Sequence, residues 1–379
     1  MESQKQKPRI AVFGLATLGG GAKGMGIPVL VDLFERLSIH FDICFYSLIN
    51  HNADVASSSI KIKQPTSWRI PGRLKYFQVM MKCFFDHLHQ PWDVIFAISP
   101  YPAGAYAVRL GKWIRRPVVV QMIAYEAASL PGLGCMDLTI PWLAKVTRRV
   151  CHETDYLVTV AHIQKEIAKQ CLPTQRDIDV LPLRINSERF PFVRKSVSFP
   201  VHFIHIAYYS LLKDQDTMFR AFAKIADKIE CTLTIIGSGY DIPKVQSLLQ
   251  SLGISTKVHF VKFAAQSELP GYFDKAHILF HPARFETGCA VIQEAMASGV
   301  VVCGTSVGIL ADLGEDYAVA VPPGDDVALA TQTLQLIADK ARYSEFQQRG
   351  HQWITTYGAV WAADNYLQYL DSIVDKDSS

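Results

Sequence analysis

The stretch HPARFETGCAVIQEAMASG, residues 281–299, holds the most specific pattern in this chain of 379 residues. An apolar, β-type run over residues 277–281 leads into it, a loop with Glu286 follows, and the remainder has the composition of a helix. Anions bind at the start of such helices, and open α/β sheets hold ligands at the same edge. The residues whose backbone N–H groups we expect to face a bound anion are Thr287, Gly288, Cys289 and Ala290.

Two glutamates share this stretch, and Glu294 lies about two helical turns beyond Glu286. The first stands at the start of the helix and the second lies deeper along it. Carboxylates placed in this way accept hydrogen bonds from the hydroxyl groups of a sugar and of a ribose, respectively. The alternative interpretation is that both are ordinary helix glutamates without a ligand.

Around this stretch, short β-branched runs alternate with longer segments of helical period, and the alternation occurs twice. The pattern predicts an α/β protein with two Rossmann-like, doubly wound parallel-sheet domains. The strands predicted in the first half lie near residues 9–14, 41–48, 93–98, 117–121, 156–160 and 178–182. Those predicted in the second half lie near residues 201–207, 231–236, 257–261, 277–281 and 300–303.

The domain boundary is predicted in residues 184–200, a polar segment with prolines that has the composition of a linker. Near the end of the chain, apolar residues recur at three and four positions and predict an amphipathic helix. We therefore expect an N-terminal domain of residues 1–188, joined by the terminal helix at 359–379. The second domain is expected to comprise residues 189–358.

Composition favours a folded protein, because hydrophobic residues make up 49% of the chain and charged residues 19%. The N-terminus has no apolar run typical of a secretory signal, and no stretch approaches the ~20 apolar residues of a transmembrane helix. The sequence therefore predicts a cytoplasmic protein.

Charge is divided unevenly between the two halves. Residues 1–190 hold 23 Lys and Arg against 15 Asp and Glu, a balance of +8, and residues 191–379 hold 15 against 20, a balance of −5, which together give the net +3. A basic half favours an anionic substrate or membrane surface, although a solvated basic face without a partner gives the same pattern. We expect no nucleic-acid partner. Apolar residues near these charges that could insert at an interface are Trp68, Tyr76, Phe77, Phe84 and Phe85.

Metal and redox signatures are weak. The eight cysteines have no C-x-x-C pair, which predicts reduced, buried thiols. Three D-x-D matches, at residues 177–179, 214–216 and 375–377, are expected to be solvated or helix-capping. The sequence therefore predicts no metal and no cofactor.

A glycine-rich loop, GGGAKG at residues 19–24, follows the first predicted strand and could cradle a phosphate. Its literal G-x-G-x-x-G match also raises an NAD(P)-dependent oxidoreductase as an alternative. The acidic residue expected about 20 positions later to hold a ribose hydroxyl is missing. A purely structural turn is the remaining interpretation of this loop.

Glu286, seven residues and then Glu294 with Ala-Met-Ala-x-Gly resemble the donor-site motif of family 4 glycosyltransferases. Other segments resemble the same family in the same order: residues 182–190, 207–222 with Lys213, 233–239 with Gly237, 321–325 and 361–369. The resemblance implies a GT-B fold, in which two domains face a central cleft. It also implies transfer of a sugar from a nucleotide-diphosphate donor to a glycan, lipid-linked or small-molecule acceptor with retention of configuration.

The resemblance further implies a role for individual residues. Lys213 would neutralise the diphosphate, a task that suits a compact cation. Glu294 would bind the ribose and Glu286 the sugar. The loop residues that would close over the phosphates are Gly20 and Gly21.

Three positions depart from the common family pattern. Tyr208 stands where an arginine is usual, and Thr287-Gly288-Cys289 replaces the usual glycine-phenylalanine-glycine. Residues 121–126 lack the histidine that commonly follows the fourth strand, so Glu126 is a candidate for an acid-base or hydroxyl-binding role. These departures leave a non-catalytic sugar-nucleotide-binding protein as an alternative to an enzyme.

Overall fold

The computed structural model describes residues 7–15, 27–49, 60–67, 69–129, 137–172 and 176–378. The chain divides into two compact units, one comprising Met1–Leu183 with Ala359–Ser379 and the other Arg184–Gly358. The first unit thus ends at Leu183 instead of residue 188. Within the described residues, no helix is both long and apolar enough to cross a membrane.

Unit 1 contains a parallel sheet of seven strands in the order β3-β2-β1-β4-β5-β6-β7. Both faces of this sheet are buried, since Ala11 and Phe13 pack into one apolar cluster and Ile10 and Val12 into another. This explains why its strands are apolar at nearly every position. The strands are β1 (Arg9–Gly14), β2 (Asp42–Ser47), β3 (Lys61–Lys63), β4 (Val94–Ile98), β5 (Val118–Met122), β6 (Tyr156–Thr159) and β7 (Ile178–Val180). The helices between them are α1 (Pro28–Leu37), α2 (Gly72–His89), α3 (Ala105–Ile114), α4 (Pro141–Glu153) and α5 (His162–Cys171).

Unit 2 contains a second parallel sheet, in the order β10-β9-β8-β11-β12-β13. Its strands are β8 (Val201–Ile206), β9 (Cys231–Ile236), β10 (Val258–Val261), β11 (Ile278–His281), β12 (Val301–Thr305) and β13 (Val319–Val321). Its helices are α6 (Gln215–Ala226), α7 (Pro243–Ser251), α8 (Leu269–Lys275), α9 (Ala290–Ala297), α10 (Ile309–Leu313), α11 (Asp326–Ala338) and α12 (Lys340–Thr356). The prediction of two doubly wound parallel sheets is confirmed.

All the predicted strands are present, with ends within two residues of those expected. The sequence did not predict β3 and β13, which are three-residue edge strands too short to carry a periodic pattern. Residues 184–200, predicted as a linker, are part of unit 2. Ile185 and Phe190 are buried there, and the Phe190 ring packs edge-on against Phe273.

The last helix, α13 (Ala359–Ser378), completes unit 1. Its apolar face supplies Tyr366, Leu370 and Ile373 to the same cluster as the buried side of α1. The Tyr366 hydroxyl donates to the carbonyl of Leu181 at 2.8 Å and accepts from the side-chain amide of Gln121. Helix α13 is therefore a structural part of the layer that covers the first sheet.

Replacing Leu370, which is 2% exposed, with alanine is expected to lower the free energy of unfolding of unit 1 by about 2 to 4 kcal/mol. The loss combines the removed apolar contacts with the cavity that remains beside α1. Urea denaturation measures it. The matched control is Val360→Ala on the same helix, where the side chain is 58% exposed and the change should stay below ~0.5 kcal/mol. Equal effects of the two substitutions would contradict the docking of α13.

Candidate functional site

The conspicuous charged residues of unit 2 lie at the carboxyl edge of its sheet. Lys213 follows β8 and Glu286 follows β11, and these two strands are neighbours between which the strand order reverses. Gly237 follows the adjacent strand β9. Loops diverge at such a reversal and leave a crevice, which is where open α/β sheets bind ligands.

An ion pair joins the two loops. The Lys213 ammonium donates to Glu286 Oε1, and the same oxygen lies 2.9 Å from His281 Nε2. The side chains of Lys213 and Glu286 are 19% and 11% exposed, and that of His281 is 1% exposed. Burying two charges costs solvation energy, and the attraction between them only offsets that cost. A buried ion pair therefore contributes little to folding stability by itself. Its presence at a ligand-binding edge indicates a site for a charged ligand.

These contacts control the protonation of all three groups. Burial would raise the pKa of Glu286, but the Lys213 charge and the His281 contact outweigh it and lower the pKa to about 2. Burial likewise opposes the charged form of Lys213, and Glu286 outweighs it so that the pKa of Lys213 is raised. For His281, burial is outweighed by interactions with Cys289 and Glu286, which raise its pKa to about 9. At neutral pH the site therefore holds an ammonium, a carboxylate and an imidazolium.

Asp214 and Arg284 connect the loop after β8, which carries Lys213, to the loop after β11, which carries Glu286. The backbone N–H of Arg284 donates to the carbonyl of Leu212 at 2.8 Å, and the Arg284 guanidinium lies 3.0 Å from the Asp214 carboxylate. Asp214 is buried, accepts a 2.9 Å hydrogen bond from Thr217 and occupies the left-handed region with φ of 46°. This turn places Lys213 immediately before the start of α6.

Two glycines allow the close approach of these loops. A Cβ at Gly237 would lie 2.1 Å from the carbonyl oxygen of Ala207, and a Cβ at Gly308 would lie 2.8 Å from the Cβ of Glu286. Any larger residue would have to displace the backbone. The N–H of the next residue, Ile309, donates to the Thr287 carbonyl at 2.8 Å. The loop that carries Glu286 is therefore held from two sides.

The helix predicted after Glu286 is present as α9, which begins at Ala290. Cys289 is the residue before it and has φ of 32°, and its thiol lies 3.5 Å from His281 Nε2. The Gln293 side chain donates to the Gly288 carbonyl at 2.7 Å. The first N–H groups of a helix have no acceptor within the helix, so this end supplies donors beside the Lys213–Glu286 pair.

Glu294 lies one turn into α9 and is 4% exposed. One carboxylate oxygen lies 3.4 Å from the side-chain amide of Gln266, and the other has no partner among the described residues. Burial raises the pKa of Glu294 to about 7 despite the Gln266 contact. A buried acceptor with an unused oxygen is suited to bind a ligand hydroxyl.

The remaining predicted site residues belong to unit 1. Gly20 and Gly21 lie outside the described residues. Glu126 is 4% exposed, and its carboxylate accepts hydrogen bonds from the Ser99 hydroxyl at 2.5 Å and from the N–H of Ala124 at 2.7 Å. These contacts are typical of a carboxylate that orders its own loop.

Sequence reasoning missed His281, Asp214 and Gln266 as parts of the site. Asp214 directly follows Lys213, and His281 lies five residues before Glu286 in the same motif, so their position was the available signal. Gln266 lies in a short turn, Gln266–Glu268, that precedes α8. No sequence pattern connects it to Glu294, because tertiary packing alone brings the two together.

The part of unit 2 that carries this site is similar to a known protein family. Residues 188–353 match the family described as "Glycosyl transferases group 1". This likeness lies within unit 2. The match includes Lys213, Gly237, Glu286 and Glu294.

Proteins similar to this chain include N-acetyl-alpha-D-glucosaminyl L-malate synthase of Bacillus anthracis, which is 24% identical over 247 residues. That alignment covers 61% of this chain and 64% of the relative. The GDP-mannose-dependent alpha-(1-6)-phosphatidylinositol monomannoside mannosyltransferase of Mycolicibacterium smegmatis is 29% identical, with 37% of this chain and 40% of the relative covered. The chain therefore spans less than two thirds of the length of these relatives.

Solved structures extend the likeness to both units. Sucrose-phosphate synthase from Thermosynechococcus elongatus superposes with a TM-score of 0.78 at 17% identity, over 98% of this chain and 100% of that one. Anabaena HepE in complex with UDP-glucose superposes with a TM-score of 0.76 at 16% identity, over 96% and 99% of the two chains. The predicted GT-B fold is confirmed.

Replacing Glu294 with glutamine is expected to stabilise the protein increasingly as pH rises. The pKa of this carboxyl is near 4.5 in the unfolded chain and about 7 in the folded protein. Between these two values the carboxyl is ionised in the unfolded chain but still protonated in the folded protein. Folding stability is consequently lost between these values, by about 3 kcal/mol in total. Glutamine removes that loss, so the gain in unfolding free energy of Glu294→Gln over wild type should grow by about 2 to 3 kcal/mol between pH 5 and pH 8.

Urea denaturation at the two pH values measures this difference. Glu315→Gln, which replaces an exposed carboxylate of the same unit, is the matched control and should give no growth with pH. A constant difference for Glu294→Gln would contradict the raised pKa.

Proposed function

We propose that this protein is a retaining glycosyltransferase of family 4 that transfers a sugar from a nucleotide-diphosphate donor to a glycan, lipid-linked or small-molecule acceptor. The observation that carries the proposal is the buried Lys213–Glu286 pair at the sheet reversal, beside the start of α9. A nucleotide-sugar donor is supported by similar proteins whose names specify GDP-mannose and by a structural neighbour that holds UDP-glucose.

The diphosphate of the donor would be bound by Lys213 and by the first N–H groups of α9. Lysine can follow the charge that develops on the leaving phosphate, and fixed helix amides stabilise it without reorganising. In the protein without donor, Glu286 compensates the ammonium charge. A bound diphosphate would share this cation, which leaves the carboxylate available for the sugar.

Glu286 would bind the transferred sugar. Positive character develops on the sugar ring during transfer, and a carboxylate held beside it stabilises that state more than the ground state. The low pKa of Glu286 keeps it ionised, and the 2.9 Å contact with His281 fixes its orientation. The site therefore stabilises charge on both sides of the breaking bond.

Glu294 would bind the ribose through its unused oxygen. A hydroxyl donates more strongly to a carboxylate than to a carboxylic acid, so donor binding should favour ionised Glu294 and release its proton. The residue sits eight positions beyond Glu286 on the buried side of α9, away from the reacting bond. Its contribution should be to binding and not to the chemical step.

The proposed transfer requires no metal, because Lys213 and the amides of α9 balance the diphosphate charge. The D-x-D segment at residues 214–216 has other contacts: Asp214 binds Arg284, and Asp216 binds Tyr209 and Lys244. Turnover that falls when EDTA is added and returns with Mn²⁺ or Mg²⁺ would contradict this part of the proposal.

A second candidate is a non-catalytic sugar-nucleotide-binding protein on the same fold. It is favoured by residues 121–126, where Gln121 is buried against Leu181 and Tyr366, and the Glu126 carboxylate is occupied by Ser99 and its own loop. Screening nucleotide sugars by thermal shift identifies the donor, since a ligand of the folded state raises apparent stability. Hydrolysis of that donor in the absence of acceptor separates an enzyme from a binding protein.

Glu286→Gln and Glu294→Ala are expected to impair transfer in different ways. Loss of the Glu286 charge should lower kcat at least ~100-fold, which corresponds to about 3 kcal/mol of transition-state stabilisation, and leave nucleotide affinity unchanged. Glu294→Ala should raise KM and change kcat little, because ribose contacts are equal in the ground and transition states. Steady-state kinetics with the donor from the screen provides both values.

Glu315→Gln is the control for substitution of an exposed carboxylate and should have wild-type kinetics. Near-normal turnover in folded Glu286→Gln protein would overturn the catalytic assignment and favour the binding protein.

We also propose that α2 binds the protein to an anionic membrane surface on the cytoplasmic side, and that the acceptor lies at this surface. Its exposed apolar residues Leu74, Phe77, Phe85 and Leu88 recur at helical spacing and form one stripe, 44% to 63% exposed. Arg73 and Lys75 lie next to the start of that stripe. Of the residues predicted to insert, Tyr76 and Phe84 are instead half-buried against the core, and Trp68 lies outside the described residues.

Binding to liposomes that contain anionic lipids should exceed binding to neutral liposomes and should weaken with salt. The substitutions Phe77→Ser and Phe85→Ser together are expected to reduce it at least ~10-fold, since each removes an inserted ring. Val327→Ser, which replaces an apolar residue 58% exposed in unit 2, is the control and should bind as wild type. Equal partitioning onto anionic and neutral liposomes would refute the proposal.

A further inference from the structure

Three side chains at the proposed donor site have the arrangement of metal ligands. His281 Nε2, a carboxylate oxygen of Glu286 and Cys289 Sγ all lie within 4.8 Å of one another. In the part of the chain that the structure describes, no other group of at least three His, Cys, Asp or Glu side chains has this geometry. The spacing of these residues matches no established zinc-binding pattern, so this group was not predicted from the sequence.

The separation between the histidine and cysteine ligand atoms agrees with a tetrahedral zinc site. Zinc lies about 2.0 to 2.1 Å from histidine nitrogen and about 2.3 Å from cysteine sulfur, so neighbouring N and S ligands are roughly 3.5 Å apart. His281 Nε2 and Cys289 Sγ are 3.5 Å apart, and His281 Nε2 and Glu286 Oε1 are 2.9 Å apart. A small outward shift of the Glu286 carboxylate would complete three ligands.

The backbone places the thiol in this group despite a conformation that suits glycine. Cys289 has φ of 32° and ψ of 88°, a left-handed geometry in which an L side chain is strained. The His281 ring is buried, and its Nδ1 has no partner among the described residues. The polar contacts of this ring, to Glu286 and Cys289, therefore converge on Nε2.

We propose that His281, Glu286 and Cys289 form an inhibitory binding site for a soft divalent cation, with Zn²⁺ as the preferred ion. A thiolate and an imidazole select zinc over Mg²⁺ or Ca²⁺, which prefer oxygen ligands. Three protein ligands leave the fourth position to water. When the metal binds, the Cys289 thiol and the His281 imidazolium each give up a proton to solvent, because only the thiolate and the neutral imidazole coordinate.

Coordination would stop sugar transfer because it engages the Glu286 carboxylate. The same group is needed by the sugar, and Lys213 would lose its ion-pair partner to a divalent cation that repels it. This inhibitory consequence rests on the proposed function, whereas metal binding does not. Binding and inhibition are therefore tested separately.

Binding is tested on the full chain with Co²⁺, which has visible d–d absorption in a tetrahedral site and a thiolate-to-metal charge-transfer band in the near ultraviolet. Wild-type protein should develop the charge-transfer band with a single cobalt per chain, and Zn²⁺ should abolish it. Cys289→Ser and Cys289→Gly should both lose the band. Cys171→Ser, at another half-buried free cysteine, is the control and should keep it. A wild type without the band, or a band that persists in both Cys289 variants, would overturn the site.

Inhibition is tested with the donor hydrolysis or transfer assay. Zn²⁺ should inhibit wild type, EDTA should reverse the inhibition, and half-inhibition of whichever Cys289 variant remains active should need at least ~10-fold more zinc. Equal zinc sensitivity of wild type and that variant would overturn the inhibitory role. If no nucleotide sugar is turned over under any condition, the proposed function fails, and the cobalt spectrum still decides whether the metal site exists.

Discussion

The contact between Lys213 and Glu286 is the constraint on which the arrangement of the site in unit 2 depends. Each residue follows a strand on one side of the reversal in strand order, so the sheet itself brings opposite charges together. Charges this deeply buried are tolerated only when they are paired. The His281 contact to the same oxygen and the Arg284–Asp214 bridge hold the pair in place.

Local strain is concentrated around this pair. Asp214 and Cys289 both occupy the left-handed region, and Gly308 is pressed against the backbone of Glu286. Each such conformation costs about 1 to 3 kcal/mol, and a surrounding rigid sheet is what allows it to persist. The result is a set of loops with little freedom to rearrange, which is the property that electrostatic catalysis and metal coordination both require.

The two units differ in the surfaces they offer. Unit 2 presents buried, paired charges at the edge of its sheet. The basic excess lies in residues 1–190, and α2 of unit 1 carries an exposed apolar stripe. The terminal helix α13 packs on the sheet of unit 1 although it follows unit 2 in the chain. The apolar core of the first unit is thus complete only when α13 packs against α1 and the first sheet.

The sequence by itself determined the two doubly wound sheets, the terminal helix and the position of Glu286 before a helix, because periodicity and turn residues act locally. It did not determine that His281 and Cys289 meet at Glu286, or that the pKa of Glu294 is raised to about 7. Only the tertiary structure decided these properties. The left-handed backbone at Cys289 directs its thiol toward His281, and burial raises the free energy of the charged Glu294 carboxylate. Neither effect produces a periodic pattern in the sequence.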